Sequence, residues 1–275
     1  MPELPEVETV MRALESHLAG HEISMVTLRR ADIRWPVPTN LPAILRGARI
    51  LNFRRRGKFI LMRLDKGWSM LVHLGMSGRM ILDKPEAAHE HLTIETKDGH
   101  RMGFVDPRRF GMLDLVHTNE EDQHRLLASM GPEPLGNEFS GPMLAAACKG
   151  KTAPIKALLL DQHVVAGIGN IYASEALFRA GISPTRAAGK ISAARLEVLA
   201  KSVRETLQDA IKAGGSSLRD YVQPNGELGY FQHAWKVYGR AGQACEHCPG
   251  MPPCQGIKQI TQSGRSTFYC PRTQR

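Results

Sequence analysis

The chain opens Met1-Pro2-Glu3-Leu4-Pro5-Glu6. Cells trim an initiator methionine that precedes a small residue, and that step leaves Pro2 as a free secondary amine. An α-amino group has a pKa of about 8 against about 10.4 for lysine, so an appreciable fraction is nucleophilic near neutral pH. Attack of such an amine on an aldehyde carbon gives an iminium, which is an electron sink. Glu3 and Glu6 place two carboxylates beside it. The apolar residues Val7, Val10, Met11, Leu14 and Leu18 then recur at helical spacing, with Pro5 near the start and Gly20 just past the end. The amine is therefore expected at a helix N-terminus. The same pattern suits an ordinary amphipathic helix with acids in its first turn.

Three basic clusters follow. Arg54-Arg55-Arg56-Gly57-Lys58 sets a lysine at the head of an apolar strand, and His73-Leu74-Gly75-Met76-Ser77-Gly78 sets Met76 on a glycine-flanked loop. Asp106-Pro107-Arg108-Arg109-Phe110-Gly111 does the same for an aromatic. Exposed Met and Phe on basic loops suit wedges that unstack a duplex, with Arg108 filling the vacated space. Core packing of both residues is the plainer alternative. Further on, Gly167-Ile168-Gly169-Asn170 joins two helical stretches, with Asn170 placed as an N-cap. Such a turn either points backbone N–H groups at an anion or is a tight corner that needs glycine.

Four of the five cysteines, Cys245, Cys248, Cys254 and Cys270, lie near the C-terminus, and Cys148 stands apart as a small buried hydrophobe. Clustered cysteines of this kind more often hold metal than form disulfides in a cytosolic chain. The segment after Cys245-x-x-Cys248 reads as a β-hairpin turning at Ser263-Gly264, hung on a zinc knuckle. Thr273 stands where a second Cys-x-x-Cys would place its last ligand. A two-residue turn pairs Gln262 with Arg265, and that register carried down the hairpin sets Cys254 across from Thr273. Cys254 is the expected replacement ligand for a single structural zinc. A metal-free hairpin held by packing is the alternative.

The elements that must position these residues fall into three expected domains: 1–130, 131–232 and 233–275. Segments 49–53, 59–64, 69–74, 79–82, 91–95 and 101–105 read as short strands of an antiparallel β-sandwich, broken by glycine turns. The stretch 142–221 reads as helical. The tail from about residue 233 has too few apolar residues to fold without a metal. At 275 residues the chain can bury a sizeable core, and its net charge of +9 suits a polyanionic partner. The N-terminus lacks a signal-peptide pattern and no apolar run approaches a membrane span, so a cytosolic protein is expected.

Together these motifs resemble one family end to end: the bacterial formamidopyrimidine-DNA glycosylases, with endonuclease VIII as sister group. The resemblance rests on residues 2–9, Lys58, His73 to Gly78, Asp106 to Gly111, Gly131 to Leu135, Gly167 to Glu175, Tyr238-Gly239-Arg240 and Gly264 to Cys270. It implies an α+β multi-domain fold: an N-terminal antiparallel β-sandwich with flanking helices, a helix-two-turn-helix domain, and a β-hairpin zinc finger. It implies a bifunctional glycosylase and lyase of base-excision repair. In that chemistry Pro2 forms a Schiff base with the damaged nucleotide, Glu3 is general acid and base, Lys58 assists elimination, and Arg265 clamps phosphate. β,δ-Elimination then leaves a one-nucleotide gap.

By the same resemblance Met76, Arg108 and Phe110 form the inserted triad, and His73, His89, Lys151 and Asn170 contact phosphate or backbone. The partner implied is double-stranded DNA carrying an oxidised base, bound by a monomer in the bacterial cytoplasm and at the nucleoid. The segment from Ser216 to Phe231 resembles a loop that closes over oxidised purines such as 8-oxoguanine and formamidopyrimidines. Removal of oxidised pyrimidines, as in the sister group, and lesion binding without catalysis are the alternatives.

Overall fold

The computed structural model describes residues 2–217, 223–224, 226–248 and 254–275. Met1 and residues 218–222, on which methionine removal and part of the closing loop depend, lie outside them.

The chain begins with α1, Leu4–Leu18. Its apolar stripe buries Val7, Val10, Met11, Leu14 and Leu18 in the core of the first unit, each worth roughly 1.5–3 kcal/mol of burial. Then follow β1 Ile23–Leu28, α2 Leu41–Leu45, β2 Ile50–Arg56, β3 Phe59–Leu64, β4 Trp68–His73, β5 Arg79–Leu82, β6 Glu90–Thr96, β7 Arg101–Val105 and β8 Met112–His117. The helical segments are α3 Gly141–Cys148, α4 Ile155–Leu160, α5 Asn170–Arg179 and α6 Ala193–Lys212, and the hairpin is β9 Lys258–Gln262 with β10 Arg265–Tyr269.

The strands form two four-stranded antiparallel sheets, β1-β6-β7-β5 and β2-β3-β4-β8. One core cluster draws on both sheets and on α1, through residues such as Ile60, Met62, Val72, Ile94 and Phe104. The six strands expected from the sequence are present within a residue or two, except that β2 runs on to Arg56. Two more, β1 and β8, carry too little alternation to stand out: β1 exposes Ser24 and Met25 in succession, and β8 places Asp114 between apolar residues.

Contacts divide the chain into two compact units, Met1–Ser129 with Ile211–Gln232, and Met130–Ala210 with His233–Arg275. Segment 211–232 thus groups with the β-sandwich instead of with the helices that precede it. The Ser216 N–H donates to Glu6 Oε1 at 2.8 Å, and the Leu82 N–H donates to the Pro224 carbonyl at 3.3 Å. Likewise the hairpin groups with the helices of the second unit, through contacts of α5 with β10.

Candidate active site and nucleic-acid interface

Pro2 and Glu3 are buried at the head of α1. Glu3 is the N-cap, and a capping box ties its carboxylate to the third helical N–H while Glu6 Oε2 accepts the Glu3 N–H at 2.8 Å. The other Glu6 oxygen takes the Ser216 N–H. Pro2 and the Glu3 carboxylate therefore sit on a turn whose geometry is fixed from both sides.

Lys58 occupies the tip of the β2–β3 hairpin. Arg56 pairs with Phe59, so Gly57 and Lys58 are its two loop residues, and Gly57 holds φ +56°, as a tight hairpin turn requires. Lys58 is nonetheless 7 % exposed. His73 ends β4 opposite Phe59, with ring centroids 4.8 Å apart, which places it next to Lys58 along the sheet. Its Nδ1 accepts the Gly75 N–H at 3.0 Å, so the proton of the neutral ring is on Nε2. Burial of the ring, and then the charges of Lys58 and Arg34, push its pKa down to about 4. His73 is a neutral hydrogen-bond donor at physiological pH.

The loops bearing Met76, Arg108 and Phe110 are held together by Asp106, which is fully buried. Its carboxylate accepts the Ser77 hydroxyl at 2.6 Å and the Gly111 N–H at 2.7 Å, and Ser77 Oγ accepts the Arg108 N–H at 3.2 Å. Gly75, at φ +65°, lies so close to this second loop that a Cβ would come within 2.4 Å of the Phe110 carbonyl. At the tip Arg109 adopts φ +56°, a left-handed conformation uncommon for a non-glycine residue. Met76 is 38 % exposed and Phe110 42 %, and the Arg108 guanidinium lies 5.0 Å from the Phe110 ring centre. Neither apolar side chain is core packing.

Together with Ile33, Arg34, His73, Gly75 and Arg109 these side chains line an open cavity of about 610 Å³. No motif in the sequence marks Arg34 or Trp35. Trp35 is flanked by the Arg34 and Arg125 guanidinium groups, each 5.0 Å from its ring. His89, exposed at φ +63°, accepts the Asp106 N–H through its carbonyl at 3.0 Å and so belongs to the same cluster.

In the second unit Gly169, not Asn170, is the N-cap of α5. Asn170 is instead the first helical residue, and its Nδ2 donates sideways to the Ser266 carbonyl at 2.8 Å. Lys156, 1 % exposed, reaches the same strand: its Nζ donates to Thr267 Oγ1 at 2.7 Å and to the Ser266 carbonyl at 3.2 Å. These two side chains brace the strand from which exposed Arg265 projects. The hairpin turn is the expected one, with Ser263 at φ +48°, Gly264 at φ +73° and Gln262 paired with Arg265. Lys151 is exposed after α3, its N–H bonded to the Cys148 carbonyl. Glu175 of α5 accepts the N–H groups of Lys236, Val237 and Tyr238 at 2.8–3.0 Å, which anchors the Tyr238-Gly239-Arg240 segment. Neither Lys156 nor Glu175 was distinguishable in sequence from an ordinary helical surface charge.

The Sγ atoms of Cys245, Cys248 and Cys270 lie within 4.8 Å of one another. Cys248 and Cys270 are 3.3 Å apart, and Thr273 Oγ1 faces Cys245 at 3.5 Å and Cys248 at 3.8 Å. Cys254 stands just outside this set. Its Sγ accepts the N–H groups of Cys245 at 3.3 Å and Gly256 at 3.4 Å. The ladder of the hairpin ends at Lys258 and Tyr269, short of Cys254 and Thr273.

The formamidopyrimidine-DNA glycosylase N-terminal domain family matches residues 1–113, and the formamidopyrimidine-DNA glycosylase H2TH domain family matches residues 130–222. A formamidopyrimidine-DNA glycosylase of Acidiphilium cryptum is 62 % identical over 275 residues, all of both chains. This chain belongs to the formamidopyrimidine-DNA glycosylase family. Its fold agrees: the MutM (Fpg) protein of Thermus thermophilus superposes with a TM-score of 0.88 at 39 % identity, covering 99 % of this chain and 98 % of that one. A Lactococcus lactis Fpg mutant in complex with DNA containing Fapy-dG gives a TM-score of 0.90 at 34 % identity, covering 99 % of each chain. Among the described residues no helix is long and apolar enough to cross a membrane.

Proposed function

We propose that this chain carries out its family's reaction with Pro2 as nucleophile and Glu3 as general acid and base. The chain is a DNA glycosylase of base-excision repair that removes oxidised purines, and a bifunctional one that also cleaves the abasic strand. The observation that carries the residue assignment is the buried Pro2-Glu3 turn, clamped by Glu6 at the head of α1.

The Pro2 nitrogen attacks C1′ of the damaged nucleotide, a C–N bond forms, and the glycosidic bond breaks as the base departs with a proton. Glu3 then protonates the ring oxygen as the sugar opens, leaving an iminium. That cation acidifies the C2′ proton, whose loss expels the 3′ phosphate. A further elimination expels the 5′ phosphate, with Lys58 assisting, and water releases the amine. Arg265 clamps a phosphate. Neutral His73 donates through Nε2–H, and His89, Lys151 and Asn170 contact the backbone. A base acted on by an enzyme must leave the stack, and Met76, Arg108 and Phe110 occupy the space it vacates.

The second unit has the residues to hold one structural zinc. Its thiol donors fit a soft tetrahedral ion, with Cys245, Cys248 and Cys270 as three ligands and Cys254 as the fourth. The N–H bonds to Cys254 Sγ suit a thiolate. A zinc held by these residues would add structural support to the hairpin that presents Arg265. By role the chain divides into 1–130, 131–232 and 233–275, although by contacts 211–232 packs with the first unit and 233–275 with the second; the protein acts as a monomer on one duplex in the bacterial cytoplasm.

Borohydride trapping on a duplex with 8-oxoguanine opposite cytosine, beside one with an oxidised pyrimidine, tests this reading. The cross-link is expected at Pro2 and on the first duplex. Trapping on the second alone assigns the sister activity, and cleavage unchanged in Pro2→Gly removes the N-terminal amine from the mechanism.

A further inference from the structure

At the far end of α1 from Pro2, three side chains from separate elements of the first unit converge. His17 lies in the last turn of α1, Asp83 follows β5, and His100 precedes β7. His17 Nε2 is 2.5 Å from Asp83 Oδ2, and His100 Nδ1 is 3.4 Å from the same oxygen. All three atoms lie within 4.8 Å of one another. The two imidazoles meet edge to face with centroids 4.5 Å apart. His21 packs on His100 from behind at 4.7 Å, with its own Nδ1 held 2.8 Å from Asp98 Oδ2.

Two features set this group apart from a simple ion pair. His17 Nε2 is buried and, for all its closeness to Asp83, makes no hydrogen bond of proper geometry. A buried imidazole nitrogen without a well-formed hydrogen bond thus lies beside a carboxylate oxygen and a second imidazole nitrogen, three donor atoms close enough together to share one ion. Asp83 is also pre-set: Oδ1 accepts the Arg101 N–H at 2.7 Å, and the Asp83 N–H donates to the Arg101 carbonyl at 2.9 Å, holding the residue at φ +48°. One carboxylate oxygen is thus anchored and the other is presented to both imidazoles. A supporting contact of this kind fixes the orientation of a metal-binding carboxylate.

We propose that His17, Asp83 and His100 form a site for a divalent transition-metal ion of the zinc and nickel class, with water completing its coordination. Two imidazoles and one carboxylate suit these ions, whereas magnesium and calcium prefer all-oxygen sets. The site is distinct from the cysteine cluster, which belongs to the other unit. It ties the end of α1 to two turns of the β1-β6-β7-β5 sheet, about 22 Å along a 15-residue helix from the end that carries Pro2 and Glu3. Ligation there stabilises the native state by mass action.

The test is cobalt(II) added to the zinc-loaded full-length protein, followed by equilibrium dialysis and visible absorption. One further ion is expected to bind, with weak d–d bands and no thiolate-to-cobalt charge transfer. His17→Asn and His100→Asn should each weaken this uptake roughly tenfold or more, with cleavage of the 8-oxoguanine duplex retained as the check on folding. Asp83→Asn, which keeps an acceptor for the Arg101 N–H, should weaken it likewise. No uptake by the wild-type protein overturns the proposal, whatever the variants do. Uptake unchanged in all three variants, or uptake showing charge transfer from the cysteines, overturns it as well. Metal uptake is read independently of strand cleavage, so failure of the catalytic assignment would leave this result intact.

Discussion

Ser77 donates its hydroxyl to the buried carboxylate of Asp106 at 2.6 Å, and through that bond the loop carrying Met76 is fixed to the loop carrying Arg108 and Phe110. Asp106→Ala leaves Ser77 and the Gly111 N–H without their acceptor, at a cost of about 1–3 kcal/mol. Cleavage of a lesion duplex should fall further than this loss of stability explains, because the loops carrying Met76, Arg108 and Phe110, the proposed inserted residues, lose their common support. Thermal melting beside single-turnover cleavage measures both. A lowered melting temperature with normal cleavage below it would leave Asp106 a purely structural residue.

His73 should titrate near pH 4 when its ring resonances are followed by NMR. Its folded-state pKa lies below the ordinary value of about 6.5, so the unfolded chain binds more protons between those two values. The contribution to stability is complete above about pH 6.5 and is lost as pH falls towards 4. A midpoint above about 7.5 would mean a charged ring at physiological pH, and the neutral Nε2–H donor would be wrong.

Glu121 adds a second acid-sensitive contact. Burial alone would raise its pKa, but hydrogen bonds from Arg63, Ser69 and Arg54 outweigh that and hold it at about 2. Its contribution is present above the ordinary carboxylate pKa and disappears as pH falls through about 2. Glu121→Gln should therefore flatten the decline in stability below pH 4.5, a loss readable from urea midpoints at several pH values. The same slope in both proteins would show that the network does not govern acid unfolding.

Thr273 Oγ1 faces Cys245 and Cys248, while Cys254, the proposed fourth ligand, stands just outside the three-thiol set. Cys254→Ser should lower zinc content and move the cobalt-substituted spectrum away from four-sulfur coordination, whereas Thr273→Val should leave both unchanged. Adding a chelator should abolish duplex binding while the β-sandwich core keeps its far-ultraviolet signature. Zinc content equal to wild type in Cys254→Ser, together with loss in Thr273→Val, would transfer the ligand role to the threonine.

Local signals in the chain carry much of this protein. The apolar spacing of α1, the two-residue turn at Ser263-Gly264 and the Gln262–Arg265 register are all legible because hairpins and helices are specified by neighbours within a few residues. Glycine at 75 is likewise legible as a loop signal, although only the fold shows that the Phe110 carbonyl is what excludes a side chain there.

Partners distant in sequence were decided by tertiary structure. Asn170 looked like an N-cap because its type suits one, yet the Ser266 carbonyl, 96 positions away, takes its amide and Gly169 caps the helix. Nothing local in the sequence marks Lys156 or Glu175 as buried; the hairpin and the 236–238 segment supply their partners. Segment 211–232 joins the sandwich because Glu6 accepts the Ser216 N–H. Most of the elements, β1 and β8 excepted, and the reactive residue types were legible in the chain, since both depend on local covalent chemistry and spacing. Which buried charge meets which donor, and so how those residues are held, depends on long-range closure that short-range patterns do not encode.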